Sequence, residues 1–472
     1  MIPDEFNQLL TEGYCPGGKL RHRTATLIKL FPYVTTPPSK SAVVEDELSS
    51  FWGICGEISR LINGLNKGSK LDLHAIEATL KSKIETRDFP HLLDVVRMLA
   101  FDENGALSAF SLSAIPYLSF AKDNSTLREI GAFLYEVFFR QAQEAAYADP
   151  FSEKDGGNVL HKLIYQCLPS ADPAGAGAED CRYHKLDVGL SEVFEKDWGF
   201  LCDNPSMLHV HFPEFAKLYG FIYQLRVIEK LNNCFDEESL DPIFFTLDWE
   251  SCSAIRRAYL GGWKRVEPKI ETVFSHVNCL ELLNHLSPEG LNSPYTYLEL
   301  KEWTLNADPE QRDEFNQGLD YVISFYKETF SPKSGWGEYE TLDTNKWDCE
   351  ILNKVERLWQ LVDYQFEKSS RGRAADGYAK WLFTLAQKNY IKRRGHIGHT
   401  LAFSRDQIMF LTRLAVGEKE KFRLREFWLE LERRGVAFDH ESRRKIVELF
   451  ERLNLLEKKS DSGDAQYVRA II

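Results

Sequence analysis

Apolar residues recur three and four positions apart along most of the chain, the spacing that lines one face of a helix. Leu48, Phe51, Ile54, Cys55, Ile58 and Leu61 form one such stripe, and Leu127, Ile130, Phe133, Leu134 and Val137 form another. The same period predicts longer helices over about 209–234, 308–330, 347–369 and 378–394. Within the third, Ile351, Val355, Leu358, Trp359 and Val362 share a side. Alternating strand patterns are rare outside a hairpin near the C-terminus. The expected fold class is mainly α: a multi-part helical body with a C-terminal winged-helix-like domain.

That last unit is the most explicit part of the pattern. Ser404 is a good N-cap for a helix carrying Ile408, Leu411, Leu414 and Ala415 on one face, and Gly417 stops it. A second helix carries Leu424, Phe427, Trp428 and Leu431, with Gly435 after it. Asp439 can accept from the free amides of a third, whose stripe is Ile446, Leu449, Phe450 and Leu453. The chain then turns at Ser460 to Asp464 between Leu455–Lys459 and Ala465–Ile472, a wing-like hairpin.

Three breaks interrupt the helical pattern. The small, turn-forming stretch from Ser170 to Glu179 cannot pack a face of its own, and others lie at Ser331–Gly337 and Ser369–Arg373. They suggest an N-terminal helical domain over 1–170, a second helical domain over 180–395 and the winged-helix-like domain over 400–472. No internal repeat of fixed period is visible.

With 43% hydrophobic and 27% charged residues over 472 positions, the chain has the balance of a folded protein. It lacks both a membrane-length apolar run and a secretion signal, so a cytoplasmic protein with no membrane contact is expected. Nine scattered cysteines without a C-x-x-C pair fit reduced thiols.

The net charge of −13 excludes a protein that wraps nucleic acid over its whole surface. The charge is nevertheless uneven. Residues 368–472 hold 23 Lys/Arg against 14 Asp/Glu, net +9, and residues 1–367 hold 35 against 57, net −22. Candidate nucleic-acid contacts therefore gather near the C-terminus: Lys392, Arg393 and Arg394 in a basic, aromatic and glycine-bearing patch, Arg443 and Arg444 on the third helix, and Lys458, Lys459 and Arg469 on the hairpin. The competing readings are a solvated helix end capped by Gly395 for the patch, and Glu441, Glu448 and Glu451 as internal partners for the third helix. A basic stretch at Lys19–Arg23, running on to Pro37-Pro38, is either a nucleic-acid arm or an arm lying across the acidic body.

Catalytic signatures are weak. Gly13 to Lys19 has phosphate-loop spacing, but Leu20 stands where a Ser or Thr would hold magnesium, and no strand precedes it. Glu299 and Lys301 match half of a metal-dependent nuclease pattern without an upstream Asp on a strand. Cys181, His184, Cys202, His209 and His211 could ligate zinc, but their spacing follows no regular finger. No cofactor and no metal are expected.

The ending Leu455-Leu456-Glu457-Lys458-Lys459-Ser460-Asp461-Ser462-Gly463-Asp464-Ala465-Gln466-Tyr467-Val468-Arg469, after Arg434-Gly435-Val436-Ala437-Phe438-Asp439, resembles the C-terminus of the DptG family. The resemblance covers roughly residues 390–472. It implies a component of bacterial phosphorothioation-dependent restriction systems, an anti-phage defence that attacks DNA lacking the host's sulfur modification. It also implies partners, a DptF-like ATPase and a DptH-like helicase subunit, but carries no catalytic residues.

The leading expectation is a non-enzymatic subunit of such a complex, contributing assembly and DNA contacts through the basic residues named above. The alternatives are a protein-docking adaptor without nucleic-acid contact, and a cryptic metal-dependent nuclease built on Glu299.

Overall fold

The computed structural model describes residues 4–15, 21, 25–65, 73–84, 87–103, 105, 107–118, 124–144, 150–151, 159–168, 183–236, 240–332, 335–337, 339, 346–369, 372–458 and 466–471. The chain is mainly helical, 66% helix against 7% strand, as the hydrophobic period requires. One continuous apolar core runs through the described residues from Leu10 to Val468. The break at 170–179 lies outside them.

The axis of the body is helix α1 (Pro205–Asn233), opened by a proline at its first position, where the missing amide costs nothing. It is apolar nearly all round and buried along most of its length, as expected of a helix enclosed by others. Phe212, Phe215 and Tyr219 on α1 pack with Phe138, Phe139, Phe194 and Trp198 at ring separations of 4.6–6.5 Å, a cluster of edge-on and stacked pairs. Helix α2 (Gly372–Asn389) lies beside the following segment of extended chain.

That segment, residues 26–37, ties the body together. The amides of Thr26, Leu27 and Ile28 donate to the Glu281 carboxylate, and the Trp381 indole on α2 donates to the carbonyls of Val34 and Thr36. Tyr33 stacks on Phe31 and Trp381. At Gly377 on α2 the Thr35 carbonyl comes so close that any Cβ would overlap it. Of the basic residues before this strap, Lys19, His22 and Arg23 lie outside the described residues.

The sheet content was the least visible from sequence. Strand β1 (Ile243–Leu247) is buried at every position, so it shows no alternation. It is the centre of a four-stranded sheet with β2 (Ile391–Arg393), β3 (His399–Phe403) and β5 (Val436–Phe438), in the order β2-β3-β1-β5. β3 and β5 run parallel to β1, with Thr246 opposite Ala402 and Phe244 opposite Ala437, while β2 is antiparallel to β3. The helix expected over 378–394 therefore ends early: α2 stops at Asn389, and 391–393 is an edge strand. Gly395, expected to cap that helix, instead turns the β2–β3 hairpin at φ +61°, a conformation that favours glycine.

The C-terminal elements fall where the caps placed them. Helix α3 (Arg405–Val416) starts at Ser404, whose hydroxyl accepts the Gln407 amide while the Gln407 side chain accepts the Ser404 amide. Helices α4 (Leu424–Arg433) and α5 (His440–Arg452) follow, the second capped by Asp439. The hairpin pairs β6 (Leu456–Lys458) with β7 (Gln466–Arg469), and β7 also pairs with β4 (Lys421–Arg423), a strand the pattern did not indicate. The strands β3 and β5 that bracket β1 lie within residues 399–438, more than 150 positions after it, so the larger sheet joins this unit to the body.

Candidate functional site

Two charged junctions hold the C-terminal unit against the body. In the first, Asp439 caps α5 by accepting the Ser442 amide and also accepts from the Ala258 amide and from Arg256 Nε and Nη2, at 3.0 and 2.5 Å. Glu250 completes it, accepting from the Leu247 amide, Arg256 and the Ser442 hydroxyl. Burial opposes ionisation of Asp439, but the Arg256 guanidinium and the two amides outweigh it and hold the carboxyl down at about 2. In the second junction, Arg434 and Asp197 meet at 2.5 and 2.8 Å with both side chains 1% exposed. Tyr219 Oη donates to the same carboxylate, and Glu430 takes the other side of the guanidinium at 3.0 Å.

The sequence-predicted cations divide into two groups. On α5 and the hairpin each described one meets a carboxylate of its own unit. Arg443 pairs with Glu432 at 2.6 Å, donates to the Phe438 carbonyl and lies 5.2 Å over the Trp428 ring. Arg444 is held between Glu441 and Glu448 at 3.0 and 2.6 Å, Lys458 pairs with Glu451 at 2.6 Å, and Arg469 with Glu457 at 3.4 Å. Lys459 lies outside the described residues. Each of these cations has a carboxylate beside it: the glutamates named as the competing reading engage Arg444 and Lys458, while Arg443 and Arg469 use Glu432 and Glu457.

The second group sits on the β2–β3 hairpin. Arg394 turns inward, donating to the carbonyls of Leu247 and Glu250 and to the hydroxyls of Thr246 and Thr400, so it satisfies the chain where β1 ends. Lys392 is exposed and donates to the Asp248 carbonyl, a neutral acceptor, at 2.7 Å. Arg393 is exposed opposite His399 and, among the described residues, has no carboxylate partner. His396 at the hairpin turn is also exposed.

The weaker chemical candidates have structural employment. Glu299 closes a capping box with Thr296, accepting its amide at 2.7 Å and its hydroxyl at 2.9 Å, and meets His184 Nε2 at 3.2 Å. His209 contacts the Ala109 carbonyl, and His211 stacks on Phe410 beside Arg413. Cys181 and residues 16–20 lie outside the described residues, and among those described no cluster of His, Cys, Asp and Glu could hold a metal ion. No described helix is long and apolar enough to cross a membrane.

Arg256, Glu250, Asp197 and Arg434 were not singled out from sequence. Asp439 was, as a cap, but its second role depends on a partner 183 positions away. No local pattern signals such a pairing. A scan against protein-family models and a search of curated proteins return no match for this chain.

Proposed function

We propose that the chain is a non-catalytic assembly subunit of a bacterial phosphorothioation-dependent restriction complex, and that it acts by docking proteins more than by gripping DNA. The observation that carries the docking half is the pairing of Arg443, Arg444, Lys458 and Arg469 with glutamates of their own unit. A phosphate approaching such a surface meets a carboxylate beside each cation, so the local field that would draw a polyanion is cancelled within a few ångströms. Mixed-sign helix faces with isolated apolar side chains such as Leu429 and Leu453 suit a protein partner instead. We read the α3-β4-α4-α5-β6-β7 unit as a winged helix used in this way. The restriction context rests on the resemblance of roughly residues 390–472 to the DptG family.

The test is co-purification of the full chain with the ATPase-like and helicase-like partners, with and without nuclease. The expected result is a complex that survives nuclease digestion, together with weak duplex affinity at low salt. A complex that falls apart when DNA is removed would count against the docking reading. So would tight duplex binding abolished by Arg443→Ala and Arg444→Ala.

A further inference from the structure

We infer that the free edge of β2 is a docking strand for an acidic, extended segment of a partner protein. This rests on the protein-docking reading above and names the chemistry of one partner.

The backbone supplies the first half of the argument. In an antiparallel pair, alternate residues exchange both ladder bonds while the residues between them turn their amides and carbonyls to the other side. Ala402 N donates to the Tyr390 carbonyl and Arg394 N to the Gly398 carbonyl, so the bonded pair inside the hairpin is Lys392 with Thr400. The N–H and C=O groups of Ile391 and Arg393 therefore face away from β3. β2 is the outer strand of its sheet, half-buried at Ile391 and exposed at Lys392 and Arg393. Among the described residues nothing accepts from or donates to those groups. An extended chain laid beside them would continue the ladder.

Side chains supply the second half. Along a strand, successive residues point to opposite faces. Lys392 lies on the face of Thr400 and Arg394, whereas Arg393 and His399 share the other. A strand added at this edge would thus meet positive charge on both faces, and its acidic residues could occupy neighbouring positions. The alternatives fit less well. A second copy of this chain would set Lys392 and Arg393 against themselves, since like charges across a strand pair repel. A nucleic-acid backbone would use the cations and accept from the amides, but its phosphates carry no donor and would leave the Ile391 and Arg393 carbonyls unanswered. The acidic segment answers both.

The probe is a fluorescein-labelled peptide of about ten residues, in which pairs of glutamates alternate with valine, titrated into the full-length chain by anisotropy. Binding is expected, and a peptide with lysine in place of glutamate should not bind. Arg393→Glu should weaken the acidic peptide by about tenfold or more, with an unchanged melting temperature because the side chain is exposed. Arg393→Ala removes the charge alone, and Arg393→Pro removes both charge and edge amide, a change an edge strand tolerates. The proline variant should bind several-fold more weakly than the alanine variant. The inference is overturned if Arg393→Glu binds as well as the parent, if the proline and alanine variants are equal, or if a DNA duplex displaces the labelled peptide more effectively than unlabelled peptide does. Failure here with an intact partner complex would remove the edge strand and leave the assembly reading; loss of the complex itself would remove that reading.

Discussion

Replacing Asp197 with alanine should be among the most damaging single changes in the chain. The carboxylate and Arg434 are each 1% exposed, and Asp197 takes two of the guanidinium's hydrogen bonds and the Tyr219 hydroxyl as well. Without it, a buried cation keeps only Glu430 and the carbonyls of Glu430 and Leu414, and the tyrosine hydroxyl loses its acceptor. Breaking a buried pair from one side costs about 3–5 kcal/mol. The stranded hydroxyl adds about 1 kcal/mol, and the surviving Glu430 contact offsets part of this, so we expect a loss of about 4 kcal/mol. Urea unfolding followed by tryptophan fluorescence and far-UV circular dichroism should show the midpoint falling by up to about 1 M. Because the penalty is the uncompensated charge, Asp197→Leu combined with Arg434→Met should recover most of the loss. A loss below about 1 kcal/mol in Asp197→Ala, or a double variant no more stable than the single, would refute the reasoning.

Further outcomes follow from the other contacts. Asp439 is held at about 2 when folded, below the ordinary value of about 3.9, so its contribution is present above pH 4 and disappears as pH falls through 2. Solvent screening reduces the effect to about 1 kcal/mol; Asp439→Asn should flatten the pH dependence of the urea midpoint in that window, and an unchanged slope would count against the Arg256 clamp. Gly377→Ala drives a methyl into the Thr35 carbonyl and should cost about 1–3 kcal/mol while opening residues 26–37 to limited proteolysis; equal protection in both proteins would contradict the strap. Glu299→Ala should lower stability by about 0.5–1 kcal/mol through its capping box and should leave any metal-stimulated DNA cleavage unchanged. Loss of such cleavage would restore the nuclease reading.

The helical fold was legible because its signals are local. Ser404 and Asp439 announced their helices, Gly417 and Gly435 their ends, and the apolar stripes their inner faces. The four-stranded sheet was not legible. β1 is five residues with both faces covered, β2 and β5 are three residues each, and runs so short carry no period that separates strand from helix. The basic candidates were legible as residue types but not as a surface. Whether Arg444 stands free or between two glutamates follows from helix spacing, and Glu441 and Glu448 were indeed noted beside it. That Arg394 turns into the end of β1 depends on Leu247 and Glu250, more than a hundred positions upstream, and no window on the sequence contains both.

The placement of β1 has a consequence for how the protein is made. All but one of its side chains are apolar and its two ladder neighbours are encoded much later; Thr246 and Thr400, which touch across the finished sheet, are 154 residues apart. On the ribosome, β1 emerges with neither flank available, and the second flank arrives only when β5 is synthesised, Val436 following its partner Ile243 by 193 positions. A nascent chain stalled or cleaved before that point would keep a sticky segment in view, a mark by which chaperones and proteases could tell unfinished molecules from complete ones.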